Sequence, residues 1–498
     1  MWSPALLLVL SAIILPASTA IVKEGSTCIV TPISDTPAAV ALRSIGAVPP
    51  TERDLNPEDN PYSVSKPGMP GSLGHYPRPE PGSSSFQNQP ISRPRSQPLT
   101  LKDNPLEPRQ NRPDDTPQIL SAFSQCGKDG TIIFREGTYH IRQVMDTTDL
   151  RNVSIEIHGT FVWSDDNLSY WRQNSFGVTY AGRQTAWRIG GRDIAMRGFG
   201  KALFDGNGQT WIDLARGQGN LNGRPISLTV WHGTNVLIDG ITWRMAQFWH
   251  TFIAYSQNVT MTNLDMVTFS TNGQSSVNTD GTNTWNSRDI TISNWTVKCG
   301  DDCIGVKGNS TNVHVSNVVC HESGAMTIGS IGSNSGQPDY VENVVFENIT
   351  AVHSSNAAWI KTYPGTGHVR NITFRNIQFE DVNQPIYVTS CICQPNNTNN
   401  NTPLGTDSYQ NCDSSRLPIS DVRWENITGT SRYNVAVGIH CSASAPCDGF
   451  HFSNIDIKPK NGGTAKVLCS NIKNQASSGL QCTGPCPGSH PQQLSGNV

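Results

Sequence analysis

Asn312-Val-His-Val-Ser-Asn-Val318, Asn343-Val-Val-Phe-Glu-Asn-Ile349 and Asn371-Ile-Thr-Phe-Arg-Asn-Ile377 are one phrase written three times: Asn, apolar, any residue, apolar, any residue, Asn, apolar. The same phrase starts at Asn235, Asn258 and Asp289, recurs at Asp421 and Gly449, and has weaker forms at Asn152 and Asp193. Apolar residues alternating with variable ones mark a strand with one buried face. A unit this small cannot bury that face by itself, so copies returning every few tens of residues must stack on their neighbours. Asn at the strand end tolerates a left-handed bend and can hydrogen-bond to the Asn one rung away, which makes each coil turn in the same place. The expected fold is all-β, a right-handed single-stranded parallel β-helix. A propeller would require four antiparallel strands per blade, and hairpin turns do not recur at that rhythm.

Working outward from the repeats, the flanks are of a different kind. Residues 1–20 contain an apolar run from Ala5 to Leu15 followed by Pro-Ala-Ser-Thr-Ala, read as a signal peptide and too short to span a bilayer. Residues 21–113 are rich in Pro and Ser and poor in aliphatics, so they are expected to be a disordered linker. Residues 114–498 form the expected β-helix domain. It opens on Asp114-Asp115-Thr-Pro, a capped amphipathic stretch, and its end, from Cys469 to Cys486, is expected to cap the last rung.

Of 498 residues only 15% are charged and the net charge is −3, which leaves no basic footprint for nucleic acid. A monomer with no membrane partner is expected, secreted to the cell exterior. Ten Asn-x-Ser/Thr sequons agree with secretion and are candidate glycosylation sites: Asn152, Asn167, Asn258, Asn294, Asn309, Asn348, Asn371, Asn396, Asn400 and Asn426. In an oxidising compartment the 13 cysteines favour disulfides over a metal site. Plausible local pairs are Cys303 with Cys320, Cys441 with Cys447, and Cys482 with Cys469 or Cys486. Cys28, ahead of the expected fold, is the candidate for the odd thiol.

In a solenoid, side chains one coil apart in sequence stack at roughly 4.8 Å. Asp280, in Val277-Asn-Thr-Asp-Gly281, and Asp301-Asp302, in Cys299-Gly-Asp-Asp-Cys303, are about one coil apart, so three carboxylates should share one patch of the groove. Singly, each Asp beside a Gly would read as a turn residue. Crowded together they repel, so one keeps its proton while others ionise, the pair of states that glycoside hydrolysis needs. Successive strand residues point to opposite faces, so Asp301 and Asp302 can both face the groove only at a bend, which Gly300 permits.

Asn278-Thr-Asp-Gly281, Gly300-Asp-Asp-Cys303 and Ile360-Lys-Thr362 resemble the landmarks of the polygalacturonase family of glycoside hydrolases, family 28, and of its exo-acting members in particular. The resemblance runs from about Asp114 to the C-terminus and includes Cys126-Gly, Gly137-Thr-Tyr, Asp205-Gly-Asn-Gly and Arg224-Pro. It implies a right-handed parallel β-helix and hydrolysis of pectic polysaccharide with inversion and without a cofactor. By motif, Asp301 would be the proton donor, Asp280 and Asp302 would activate water, and Cys303 would pair with Cys320 beside the site. An inverting pair should stand about 6.5 to 9.5 Å apart.

Two motifs depart from the family. Ser323-Gly-Ala325 places Gly324 where the family carries a histidine, for which His321 is a candidate replacement. Trp359-Ile-Lys361 keeps the lysine but has Trp359 in place of the arginine. Lys361 is the candidate ligand for a substrate carboxylate, Lys307 a further one, and Trp359 a flat face for a sugar ring. The insertions at 210–223, 333–340 and 391–416 are candidate walls that would close one end of the groove and favour chain-end attack. The leading reading is exo-acting hydrolysis of terminal α-1,4-linked galacturonic acid. The alternatives are hydrolysis of rhamnogalacturonan or decorated galacturonan, lyase chemistry, which would want an arginine base near the aspartates, and a non-catalytic β-helical wall-binding protein.

Overall fold

A computed structural model describes residues 21–33, 113–333, 338–390 and 415–486. The signal peptide, most of the linker, Asn396, Asn400, Cys391, Cys393, Cys412 and most of the 391–416 insertion lie outside the described residues.

The chain winds into a parallel β-helix. The groove sheet stacks Thr251–Ala254, Thr282–Trp285, Ile304–Val306, Met326–Ile331, Asn356–Thr362, Gln384–Thr389 and Val435–His440, each parallel to the last. Alternation along these strands decides what faces what. Ile304, Met326, Ala358 and Ile386 point into the core, as do Val306, Ile328, Ile360 and Val388 two residues on. The positions between them form the outward row Phe252, Asn283, Gly305, Thr327, Trp359 and Tyr387, matched rung by rung.

The repeated phrase supplies the remaining walls through longer strands such as Ser310–His321, Asp339–Val352 and Gly367–Val382. Each bends twice, at the two Asn positions of the phrase, where φ is positive: 56° at Asn312 and 57° at Asn317, 57° at Asn343 and 56° at Asn348. The expected ladders are there. Asn343 Nδ2 donates to Asn312 Oδ1 (3.0 Å) and Asn371 to Asn343 (2.8 Å), while Asn348 donates to Asn317 (3.2 Å) and Asn376 to Asn348 (3.1 Å). Inside, aromatic residues from successive copies stack: Phe346 on Phe374, Phe374 on Trp424, and Trp424 on Phe452 with ring centres 4.4 Å apart. Strand polarity, bend and core filling are therefore set by the same seven-residue phrase.

The ends are closed. Helix Thr116–Cys126 buries Ile119, Ala122, Phe123 and Cys126 over the first coil. Asp115 does not cap this helix with its side chain; its buried carboxylate accepts the N–H groups of Ile33 and His140 at 2.8 Å each. At the other end, Thr483 N–H donates to Val467 O (2.7 Å) and Cys469 N–H to Gly484 O (3.0 Å), covering the edge of strand Lys466–Ser470.

Two expectations are corrected at the N-terminus. Residues 21–33 belong to the fold: Ile21–Glu24 and Thr27–Val30 form a hairpin whose second strand pairs in parallel with Lys128–Phe134. Cys28 is not the odd thiol but bonds to Cys126, locking this strand to the capping helix. The Pro-rich stretch that follows hides the connection, because a four-residue strand is too short a signal to stand out against it. The other described bridges are Cys303–Cys320, Cys441–Cys447 and Cys469–Cys482, and Cys299 is a free buried thiol. The Cys28–Cys126 bridge spans 98 residues of sequence. Cys28→Ser is expected to cost about 2–5 kcal/mol in urea unfolding and to open the N-terminal strand to proteolysis before the coils unfold. An unchanged unfolding midpoint would show that the bridge carries no load.

Candidate active site

Asp280 and Asp302 sit two residues ahead of paired strand positions, Thr282 opposite Ile304, and Gly281 N–H donates to Asp302 O at 3.1 Å. One coil of 22 residues therefore lays Asp280 beside Asp302. Asp301 reaches the same patch because the backbone bends at Gly300, where a Cβ would lie 2.3 Å from Ser276 O, so no larger residue fits. One carboxylate oxygen from each of Asp280, Asp301 and Asp302 lies within 4.8 Å of the others. This is closer than the separation expected of an inverting pair, since adjacent coils set the spacing.

The three carboxylates have different surroundings. Asp302 is fully engaged. Lys361 Nζ donates to both of its oxygens (3.1 and 3.0 Å), Lys307 Nζ to Oδ2 (3.1 Å), and Thr327 Oγ1 to Oδ1 (2.9 Å). The two lysines outweigh the cost of burial and hold Asp302 ionised, its pKa lowered to about 2. Asp301 is pushed upward by burial and by the charge of Asp302, against the pull of the lysines and of N–H donors from Asp302 (2.9 Å) and Asn278 (3.2 and 3.0 Å). Asp280 is pushed well upward by burial and then by Asp301 and Asp302; Asn283 donates to its Oδ2 (2.9 Å), and its Oδ1 has no partner. Asp280 and Asp301, both pushed upward beside an ionised Asp302, titrate as a coupled pair. The patch thus holds a proton donor and ionised acceptors together.

The substrate-binding candidates fare differently. Lys361 and Lys307 both reach the cluster, but as partners of Asp302. Trp359 is buried, stacked on Tyr387 at 5.9 Å with Lys361 Nζ 4.2 Å from its ring centre, so it offers no open face to a sugar. Its outward position on the strand is covered by neighbours from later coils. Gly324 has a steric reason: a Cβ there would lie 2.7 Å from Asp302 Oδ1. His321 does not replace the missing histidine, since it faces Lys298, Glu322 and His353 on another wall.

Several residues at the site were not foreseen. His250 is buried, with Nδ1 2.9 Å from Asp280 O and Nε2 2.9 Å from Thr268 Oγ1; burial lowers its pKa to about 4, which keeps it neutral. Asn278 and Asn283, which bond Asp301 and Asp280, flank Asp280 in sequence, and that proximity was the available signal. Residues 210–223 touch the site through Asn220 N–H, which donates to Asn278 Oδ1 (2.6 Å). Tyr180 and Arg183 come from a distant hairpin and left no trace in any motif.

Residues 162–478 match the model of glycosyl hydrolases family 28. The chain belongs to that family. An α-L-rhamnosidase from Aspergillus niger is 33% identical over 76% of this chain and 88% of its own length. An exopolygalacturonase from Cochliobolus carbonum is 34% identical over 74% and 83%. Among solved structures, endo-xylogalacturonan hydrolase from Aspergillus tubingensis is similar with a TM-score of 0.65 and 28% identity, over 76% of this chain and 97% of that one. This family 28 member is a glycoside hydrolase of the pectin-degrading kind, on the parallel β-helix that its repeats predict.

Proposed function

We propose that the protein is a secreted exo-polygalacturonase that releases terminal α-1,4-linked galacturonic acid. The observation that carries this reading is the cluster of Asp280, Asp301 and Asp302 beside the outward row, with aromatic side chains packed over the row before it and after it. Phe252 lies under Tyr180, Trp249 and Trp285 in one direction, and Trp359 packs on Tyr387 in the other. Phe252 and Trp359 are four rungs apart, roughly 19 Å at the usual strand spacing. A barrier at one of these clusters would stop a polymer from running through and admit a chain end from the other side, which favours exo-action. In the proposed reaction Asp301, at the edge of the patch, protonates the glycosidic oxygen. Asp280 and Asp302 hold a water between them; Asp280 takes its proton, and the water oxygen attacks the anomeric carbon from the face opposite the leaving oxygen that Asp301 protonates.

Early products from homogalacturonan test this reading. Monomer alone at the outset is expected, whereas a ladder of oligomers would mean internal cleavage. Proton NMR of the first product should show the β-anomer, the inverted form; the α-anomer would indicate retention, with a carboxylate attacking the sugar. One observation favours a second reading, hydrolysis in rhamnogalacturonan: Lys307 and Lys361 are both committed to Asp302, and Gly324 contributes no side chain. Release of rhamnose from rhamnogalacturonan oligomers, with no galacturonate from homogalacturonan, would decide for it.

A further inference from the structure

Beside Asp280, outside the lysine cluster, two arginines carry buried guanidinium nitrogens without partners. Arg224 donates through Nε to Gln247 O and through Nη1 to Val277 O (2.8 Å), and its Nη2 is buried with nothing to bond. Arg183 Nε is likewise buried and unpartnered. Both lie near one ring, their guanidinium carbons 5.4 Å (Arg224) and 5.6 Å (Arg183) from the centre of Phe248. Burial pulls both pKa values down, Arg224 to about 9, and the carboxylate of Asp280 acts on each of them.

Arg183 is delivered by the hairpin that follows strand Phe176–Gly177. Val178 N–H donates to Arg183 O (3.0 Å) and Arg183 N–H to Tyr180 O (2.8 Å). The hairpin is pinned by Tyr180, whose ring packs against Trp285 at 5.3 Å, Phe252 at 5.9 Å and Trp249 at 6.0 Å. Burial pushes the Tyr180 hydroxyl pKa upward, and the charges of Asp339, Arg183, Lys361 and Asp280 all act on it. The hairpin therefore packs over the sheet one rung before Asp280.

A buried guanidinium N–H without an acceptor is costly, and the cost is recovered when an anion docks there. A planar carboxylate fits the guanidinium fork, and Arg suits it better than Lys. We infer that Arg183 and Arg224, both beside Phe248, form a carboxylate-binding subsite for a uronate unit next to the scissile linkage. This rests on the galacturonan reading above. It supplies the anion recognition that Trp359 lost and that the Asp302-bound lysines cannot give.

The test uses the full chain carrying Asp301→Asn, so that ligand is bound without turnover, and compares trigalacturonate with uncharged α-1,4-galactotriose by calorimetry. Arg183 is the residue to change, because Arg224 also ties down the Val277 turn. Arg183→Gln in this background is expected to weaken trigalacturonate roughly tenfold or more while changing galactotriose less than about twofold, and Arg183→Lys should recover part of the loss. Equal loss on both ligands would mean that Arg183 only shapes the hairpin, and no loss on either would mean that it does not meet substrate; each overturns the inference. If the Asp301→Asn protein itself does not prefer trigalacturonate, the galacturonan reading fails first, before any Arg183 variant is made.

Discussion

Replacing Asp301 by Asn is expected to lower kcat by about 10²–10⁴-fold with little change in KM, because the amide keeps the shape and cannot give up a proton. Asp301 accepts N–H bonds from Asn278 and Asp302, and the Asn oxygen can keep part of them, so folding should survive. The pH dependence gives a second readout. Burial and the Asp302 charge push Asp301 above the ordinary carboxylate range, so the donor is protonated in mild acid and activity should fall as pH rises through its pKa. Asp302, lowered to about 2, stays ionised far into acid, so the acid limb is set by Asp280, which burial and its neighbours push well upward, and activity should fall as the Asp280–Asp301 pair takes up its second proton. The Asp301→Asn variant should lose the alkaline limb along with the rate. Full activity with an unchanged profile would place the chemistry elsewhere and restore the wall-binding reading.

Lys361→Met has the second large effect, and it shows in stability as well as in rate. The substitution leaves Asp302 buried with Lys307 as its remaining cation, and breaking a buried pair in this way costs about 3–5 kcal/mol. The sign with pH follows from the direction of the Asp302 shift. A carboxylate with a depressed folded pKa stabilises above its unfolded value, near 3.8, and that contribution disappears as pH falls toward about 2. The deficit of Lys361→Met should therefore be largest near neutrality and shrink below pH 4 in urea titrations. Adding Asp302→Asn to Lys361→Met should return most of the stability and none of the activity, since the pair is then balanced while the ionised acceptor is gone. A deficit that stays constant from pH 6 to pH 2.5 would mean that Lys361 acts through packing on Trp359 rather than through charge.

These two substitutions also separate what each part of the cluster does. Asp301 is the more exposed of the two, 7% against 2%, and Asp302 is enclosed by Lys307, Lys361 and Thr327. The enclosure accounts for Gly324 too, since a histidine there would displace the Asp302 carboxylate. Of the two altered positions, Gly324 meets Asp302 directly, whereas Trp359 reaches it only through Lys361, whose ammonium lies over the Trp359 ring.

The repeats by themselves determined the coil, its polarity, its bends and the meeting of Asp280 with Asp301 and Asp302. All of these follow from short-range alternation and from one residue type, Asn, recurring at the same place in each turn, so the information is local. Only the tertiary structure decided the rest: that Cys28 reaches across 98 residues to Cys126, that Lys361 answers Asp302, that Trp359 is covered by Tyr387, and that the hairpin of Tyr180 and Arg183 packs over the sheet. Each of these depends on which side chain from another coil or a remote loop fills the space beside a given residue. Such contacts are set by packing between segments far apart in the chain, where no periodicity records them.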